Sequence, residues 1–443
     1  MFDFFGSPSK GFSSDNVRFA GDINVEKVTI TSLANGKTFN VTNQLLTIQV
    51  FEDLFAPFMS GSLIFKESFD FVANFPFIGE EVLDLRIFTP GFDKNDKKNI
   101  INARFYIYKI SDREKMGDRS VVYQLHFISV EAITDLNTKI SKGFEGKIAE
   151  IVANLIGTWL QGPGQKDKKG MNISLTANET KYVSNYWSPI KNINYLADRA
   201  LDTNSNPTYI FFENRYGFNF TSLDKLNSKS VKQVFINNQT QDEVKPGGGS
   251  VRNITKQYQG IKDIEIITNQ NYMDRVMGGA YGSTIMYFDI TKKKFVKITN
   301  TPSASFPGGE THLNEKALFT SKLIASNKGV MFNDVVHSKM FDDFDDVTSV
   351  TMRLKRVSRL KMAEAFKINI VVPGRTDYTV GDKVEIKSYK VQPIQKSDSE
   401  EDILDHTISG NYLVASINHV IDRKHHECHM QLIKDSYKRN LKI

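Results

Sequence analysis

Alternation of apolar and polar positions is the strongest signal in the first third of the chain. Leu46, Ile48 and Val50 alternate with Thr47 and Gln49, and Leu63 with Phe65 keeps the period of two. Leu83, Leu85 and Ile87 follow, then Phe105 with Ile107, then Tyr123, Leu125 and Phe127. Side chains alternate across a strand, so this pattern predicts strands with one buried face. Asn35-Gly36 and Met116-Gly117-Asp118 supply hairpin turns. Five or more strands from Val25 to about Ile133, with no helical period between them, predict an antiparallel barrel or sandwich. The polar, Gly/Ser-rich residues 1–22 before them read as an extended arm.

The period then changes. Ile148, Ile151, Val152, Leu155, Ile156, Trp159 and Leu160 recur at the spacing of one helix face, and Gly162-Pro163-Gly164 ends the run. Ser188 as N-cap and Pro189 in the first turn open a second helix with Ile190, Ile193, Ala197, Ala200 and Leu201 inward. Thr208–Phe212 and Phe218–Phe220 around Gly217 read as a hairpin, which makes residues 138–250 a middle α+β domain. PGGGS at 246–250 is the strongest linker signal. Beyond it come a strand at Ile261–Ile267, an irregular stretch at 283–349 expected to pack on the middle domain, and a helix from about Val350 to Ala365. FKINIVVPG (366–374) and strands at Lys383–Ser388, Tyr412–Val420 and Glu427–Ile433 close the chain, leaving 437–443 as a tail.

These last strands echo the first ones. Gly79-Glu80-Glu81-Val82 and Gly381-Asp382-Lys383-Val384 each open a strand, and each strand is followed by a polar insertion, at 90–102 and 390–408. RFYIYKISDREKMGDRSVVYQLHFISV (104–130) then corresponds to NYLVASINHVIDRKHHECHMQLIKDS (411–436), each a long hairpin with Asp-Arg near its turn. Internal duplication predicts one barrel at 23–137 and a second assembled from 251–282 and 350–436. Two such units per chain have a geometric consequence: three chains around a threefold axis would display six similar units.

Composition narrows the classes. The 32 Phe and 16 Tyr favour a β-rich chain. A net charge of +6, from 57 basic and 51 acidic residues among 443, is too small an excess to argue for nucleic-acid binding. A single cysteine, Cys428, permits no intrachain disulfide. The N-terminus lacks a basic start followed by an apolar run, and no stretch reaches the roughly 18 apolar residues that span a bilayer, so a soluble chain without membrane anchoring is expected.

Candidate chemistry is sparse. His425, His426, Glu427, Cys428 and His429 cluster, but on a strand His425, Glu427 and His429 would face one side and His426 and Cys428 the other. Three or four converging ligands are needed for a metal, so the run is read as a polar turn entering an edge strand. FDDFDDV (341–347) lacks the spacing and central glycine of a calcium loop, and SDSEED (397–402) reads as a solvated tip. The glycines at 246–249 and 278–282 do not match a phosphate-cradling loop, and no nucleophile elbow occurs. No catalytic, cofactor-binding or metal residue is therefore assigned, and no enzymatic activity or cofactor is expected.

With these features in place, the chain resembles the central baseplate hub proteins of T-even-like contractile-tailed phages, and is also similar to the N-terminal hub part of type VI secretion spike proteins. The resemblance is carried by residues 104–136, SPIKNINYLADRAL (188–201), NQNYMDRVMGGAYGSTIMYFD (269–289) and the two segments at 366–386 and 409–432. It implies a mainly β fold with two tube-like antiparallel barrels per chain, arranged as a pseudo-hexameric homotrimer. It further implies a tail tube or tube-initiator protein above, a separate spike protein below, wedge proteins around, and DNA only as passing cargo. Location in the virion tail after assembly in the host cytoplasm follows from the same resemblance. The alternatives are the hub of a phage-derived contractile injection particle, a cell-wall hydrolase fused between barrels, and a nucleic-acid-binding protein.

Overall fold

The computed structural model describes residues 16–67, 75, 78–93, 96, 99–116, 120–162, 167–237, 242–244, 250–252, 254–269, 271–301, 310–318, 330–337, 347–390 and 403–438. The chain is mainly β. In the first region the strands are β1 (Asn24–Ser32), β2 (Thr38–Asn40), β3 (Leu45–Asp53), β4 (Ser60–Glu67), β5 (Glu81–Phe88), β6 (Ile100–Lys115) and β7 (Val121–Ser129). The middle contributes β8 (Ile140–Lys147), β9 (Gly170–Ile173), β10 (Glu179–Trp187), β11 (Tyr209–Asn214), β12 (Gly217–Ser222) and β13 (Val231–Ile236). Short strands β14 (Asp242–Val244) and β15 (Ser250–Arg252) precede β16 (Asp263–Asn269), β17 (Ser283–Asp289), β18 (Lys294–Asn300), β19 (Lys316–Ala317) and β20 (Met331–Val336). The last are β21 (Phe366–Pro373), β22 (Lys383–Lys387), β23 (Gly410–Asp422), β24 (His426–Lys434) and β25 (Ser436–Tyr437).

The alternation has the expected result: in β7, Tyr123, Leu125 and Phe127 are buried while Gln124, His126 and Ile128 on the other face are not. Among the described residues thirteen strands join in one sheet. Its N-terminal half runs β3-β4-β7-β6-β5-β1-β2, and its C-terminal half runs β16-β21-β24-β23-β22-β13. Taken in chain order, β3, β4, β5, β6 and β7 correspond to β16, β21, β22, β23 and β24. In both halves the third, fourth and fifth strands pair as successive antiparallel neighbours, the second pairs with the fifth, and the first pairs with the second. The sixth position differs: β1 lies antiparallel to β5, whereas β13 lies parallel to β22.

Each half-sheet has its own core. Val28, Leu45, Ile48, Leu63, Phe65, Leu85, Phe105 and Phe127 form the first, with Ile421 reaching in from β23. Phe366, Ile368, Ile370, Val384, Ile386, Tyr412, Ile417, Met430 and Leu432 form the second, with Leu54, Phe212 and Phe235 packed among them. The expectation of closed barrels needs correction: among the described residues neither half closes on itself. The free edge of β3 is taken by β23, from Ser416 opposite Asp53 to Asp422 opposite Thr47, so the halves join edge to edge.

The middle region has a separate core of Ile148, Val152, Leu155, Ile156, Leu160, Ile193, Leu196, Phe218 and Phe220. Ser188 caps the helix Pro189–Ala197 by accepting from the Lys191 amide, as its sequence predicts. The run of apolar positions at 148–160 is α-helical to Asn154 and π-helical from Leu155 to Leu160. Three other observations differ from the sequence reading. Strand β13, expected in the middle domain, extends the C-terminal half-sheet through β22. The stretch 283–349 contains a three-stranded sheet, β18-β17-β20, whose β18 has lysines alternating with partly exposed apolar residues and so gives little strand signal. Val350 and Leu354 of the helix Val347–Ala363 pack on that sheet, while Arg356 Nη1 donates to the Pro207 and Tyr209 carbonyls of the middle region. Tyr437, expected in a tail, is buried, and β25 pairs with β19. Among the described residues no helix is long and apolar enough to cross a membrane.

Candidate functional site

The junction of β3 with β23 is where the two halves meet, and it has two distinct faces. On the outer face the side chains form rows that cross the join without interruption. One row runs His429, Asn418, Phe51, Ser60 and Ile128, and the next runs Glu427, Val420, Gln49, Ser62 and His126. These rows are mostly uncharged and polar, a surface suited to lining a solvent-filled space rather than gripping a polyanion.

Beneath the join lies a buried polar layer. Glu52 of β3 is fully buried and accepts from the Thr379 hydroxyl, the Val380 amide at 3.1 Å and the Arg215 amide at 3.3 Å. Burial raises its carboxyl to about 7, opposed by these hydrogen bonds and by Arg215. Arg375 is buried and bidentate with Asp377, Nε to Oδ1 at 2.9 Å and Nη2 to Oδ2 at 2.8 Å, with the rings of Phe92, Tyr258 and Tyr378 around it. Thr376 and Thr89 exchange amide-to-hydroxyl bonds of 3.0 and 3.1 Å, tying the turn after β21 to the end of β5. Glu52, Thr89, Arg375 and Asp377 carry no local sequence motif; only their burial and long-range partners mark them.

The run at 425–429 behaves as its alternation requires. His425 and His429 are exposed and Glu427 is half-buried, whereas His426 and Cys428 are fully buried. The expected edge strand is not at an edge, because β24 lies between β21 and β23. His419 of β23 joins the buried pair, which the sequence reading did not bring to this place. The segment 16–22 closes over the same hairpin end: the His426 amide donates to the Gly21 carbonyl, and Arg18 grips Asp22. Of the other candidate segments, Gly278 and Gly279 simply end the helix Tyr272–Met277, with Gly279 at φ +79°. Residues 341–346, 397–402 and 246–249 lie outside the described residues.

Comparison with known proteins gives the same direction. No family model matches the chain. It is 20% identical over 407 residues to the "Probable baseplate hub protein" of Vibrio phage KVP40, covering 90% of this chain and 91% of that one. Its fold is similar to that of a tail protein from Neisseria meningitidis MC58, with a TM-score of 0.54 at 10% identity over 92% of this chain and 96% of the other. It is also similar to the 43 kDa tail protein of prophage MuSo2 from Shewanella oneidensis, with a TM-score of 0.53 at 10% identity over 93% and 99%. Along nearly its whole length the chain thus resembles a phage baseplate hub protein in sequence and bacterial and prophage tail proteins in fold.

Proposed function

We propose that this chain is the structural hub of a contractile tail baseplate, acting as a homotrimer that matches a sixfold tail tube to a threefold spike. The observation that carries the reading is the repeated strand order of the two half-sheets, joined edge to edge within one polypeptide. Three chains related by a threefold axis then present six similar half-sheets, and cyclic closure of this kind is common in homo-oligomers. The domain scheme follows: an arm over 1–22, a first tube-like unit over 23–137, a middle α+β region, a second unit from 251–282 and 350–437 supplemented by β13, and a tail after Tyr437.

In this reading the uncovered rows through Gln49, Phe51, Asn418 and Val420 line a bore. DNA passes through it as cargo, and weak contacts from uncharged polar groups suit passage better than a basic lining. A tube or tube-initiator protein sits above, a separate spike below and wedge proteins around, in the tail of a virion assembled in the host cytoplasm. The chain has a structural role and no catalytic step, in keeping with the tail and hub proteins it resembles. Sedimentation equilibrium of the purified chain tests the assembly. Three times the 50.3 kDa chain mass is expected, and a stable monomer at micromolar concentration contradicts the reading.

A further inference from the structure

Three side chains with no part in the hub reading converge beneath the β23–β24 hairpin. His419 lies opposite Cys428 in the register and Ile421 lies opposite His426, so His419, His426 and Cys428 project from one face of the hairpin. All three are fully buried, at 0% exposure. Their potential ligand atoms form a triangle: His419 Nδ1 to His426 Nε2 is 3.0 Å, Cys428 Sγ to His419 Nδ1 is 3.4 Å, and Sγ to His426 Nε2 is 3.5 Å. The far nitrogens, His419 Nε2 and His426 Nδ1, are buried without a hydrogen bond of ordinary geometry. A neutral pair can share only one proton between the rings, so polar capacity remains unused in a place where that is costly.

We propose that His419, His426 and Cys428 form a zinc site. Bond lengths of about 2.0–2.1 Å to nitrogen and 2.3 Å to sulfur place tetrahedral ligands about 3.3 Å apart for N and N and about 3.6 Å apart for N and S. The observed triangle meets this with shifts of a few tenths of an ångström. The surrounding groups suit such ligands. The backbone amide of Arg375 and the backbone of Tyr378 lie next to the Cys428 sulfur and the His419 ring, so main-chain groups of the neighbouring loop border the triangle. Gly374 lets the chain pass flat against His426, since a Cβ there would overlap the imidazole. On binding, the thiol proton leaves to solvent and sulfur donates its pair to the ion. The ion staples β23 to β24 beside the strand that joins the halves.

The test uses the full chain, prepared with zinc sulfate present and dialysed without chelator, with metal content read by mass spectrometry. About one zinc per chain is expected, falling at least about tenfold in His419→Gln and in Cys428→Ser. A second measurement needs only the wild-type protein: cobalt(II) added after zinc removal should give the thiolate charge-transfer band and the intense visible bands of a tetrahedral site. Less than about a tenth of a zinc per chain together with no cobalt–thiolate band overturns the proposal. So does zinc that both variants retain while remaining folded.

Discussion

At the residue scale, single positions are held by contacts far away in the chain, and these give the sharpest tests. Gly61 in β4 sits where a Cβ would overlap both the Gln49 carbonyl and the Phe127 ring. Gly61→Ala is expected to lower unfolding free energy by more than about 2 kcal/mol, read from urea denaturation. A second case is His312, whose Nδ1 lies 2.8 Å from Asp435 Oδ2 and whose Nε2 lies 3.4 Å from Glu310. Arg359 joins them, reaching Asp435 at 3.4 Å and Asp224 at 3.1 Å. Burial lowers the His312 pKa, but the two carboxylates outweigh it and raise the group above its ordinary value. A raised folded-state pKa gives stability that is complete below the unfolded value of about 6.5 and is lost as pH rises through the folded one. The stability difference between wild type and His312→Gln should therefore be largest below pH 6.5 and shrink at alkaline pH; a difference independent of pH contradicts this. Asp435 works in the opposite direction. Burial would raise it, yet His312 and Arg359 hold it at about 2, so its contribution is lost only as pH falls from about 4 toward that value.

At the element scale, the decisive structure is the pairing of β3 with β23. Each strand is flanked on both sides, β3 by β4 and β23 by β24, so the join is interior to the sheet. Gln49→Pro removes a ladder donor from the middle of β3 and is expected to cost more than about 3 kcal/mol. In native-state hydrogen exchange, the amides of Thr47–Asp53 and Ser416–Asp422 should be among the slowest and should open together. Independent exchange of the two strands would mean that the halves are separate folding units.

Much at this scale was legible in the sequence, because one-faced strands leave a period of two. The two-sided reading of His425 to His429 held for that reason. His419 was missed, though a tight turn centred on Arg423 and Lys424 places it opposite Cys428 by symmetric counting. What could not be read was the sheet order beyond adjacent hairpins. Nothing in LTIQVFED says that its free edge is filled by a strand more than 360 residues later, and barrel closure was expected in its place. Arg359 likewise looks like a surface residue of an amphipathic helix until Asp224, Glu310 and Asp435 are brought around it.

At the scale of the whole molecule, the repeated order β3-β4-β7-β6-β5 and β16-β21-β24-β23-β22 gives one chain two similar faces. That property lets a threefold assembly meet a sixfold one without two kinds of subunit. The insertion between β16 and β21, with its own small sheet and the helix Val347–Ala363, breaks the equivalence on one side only. In the proposed hub, the halves would offer like surfaces to a tube and unlike surfaces to other partners. Electron microscopy of the purified protein, averaged without imposed symmetry, measures this most directly. The account predicts a ring of three chains with an open bore and six similar lobes on one face. A particle with one lobe per chain, or with the rows through Gln49 and Asn418 turned away from any central opening, would contradict it.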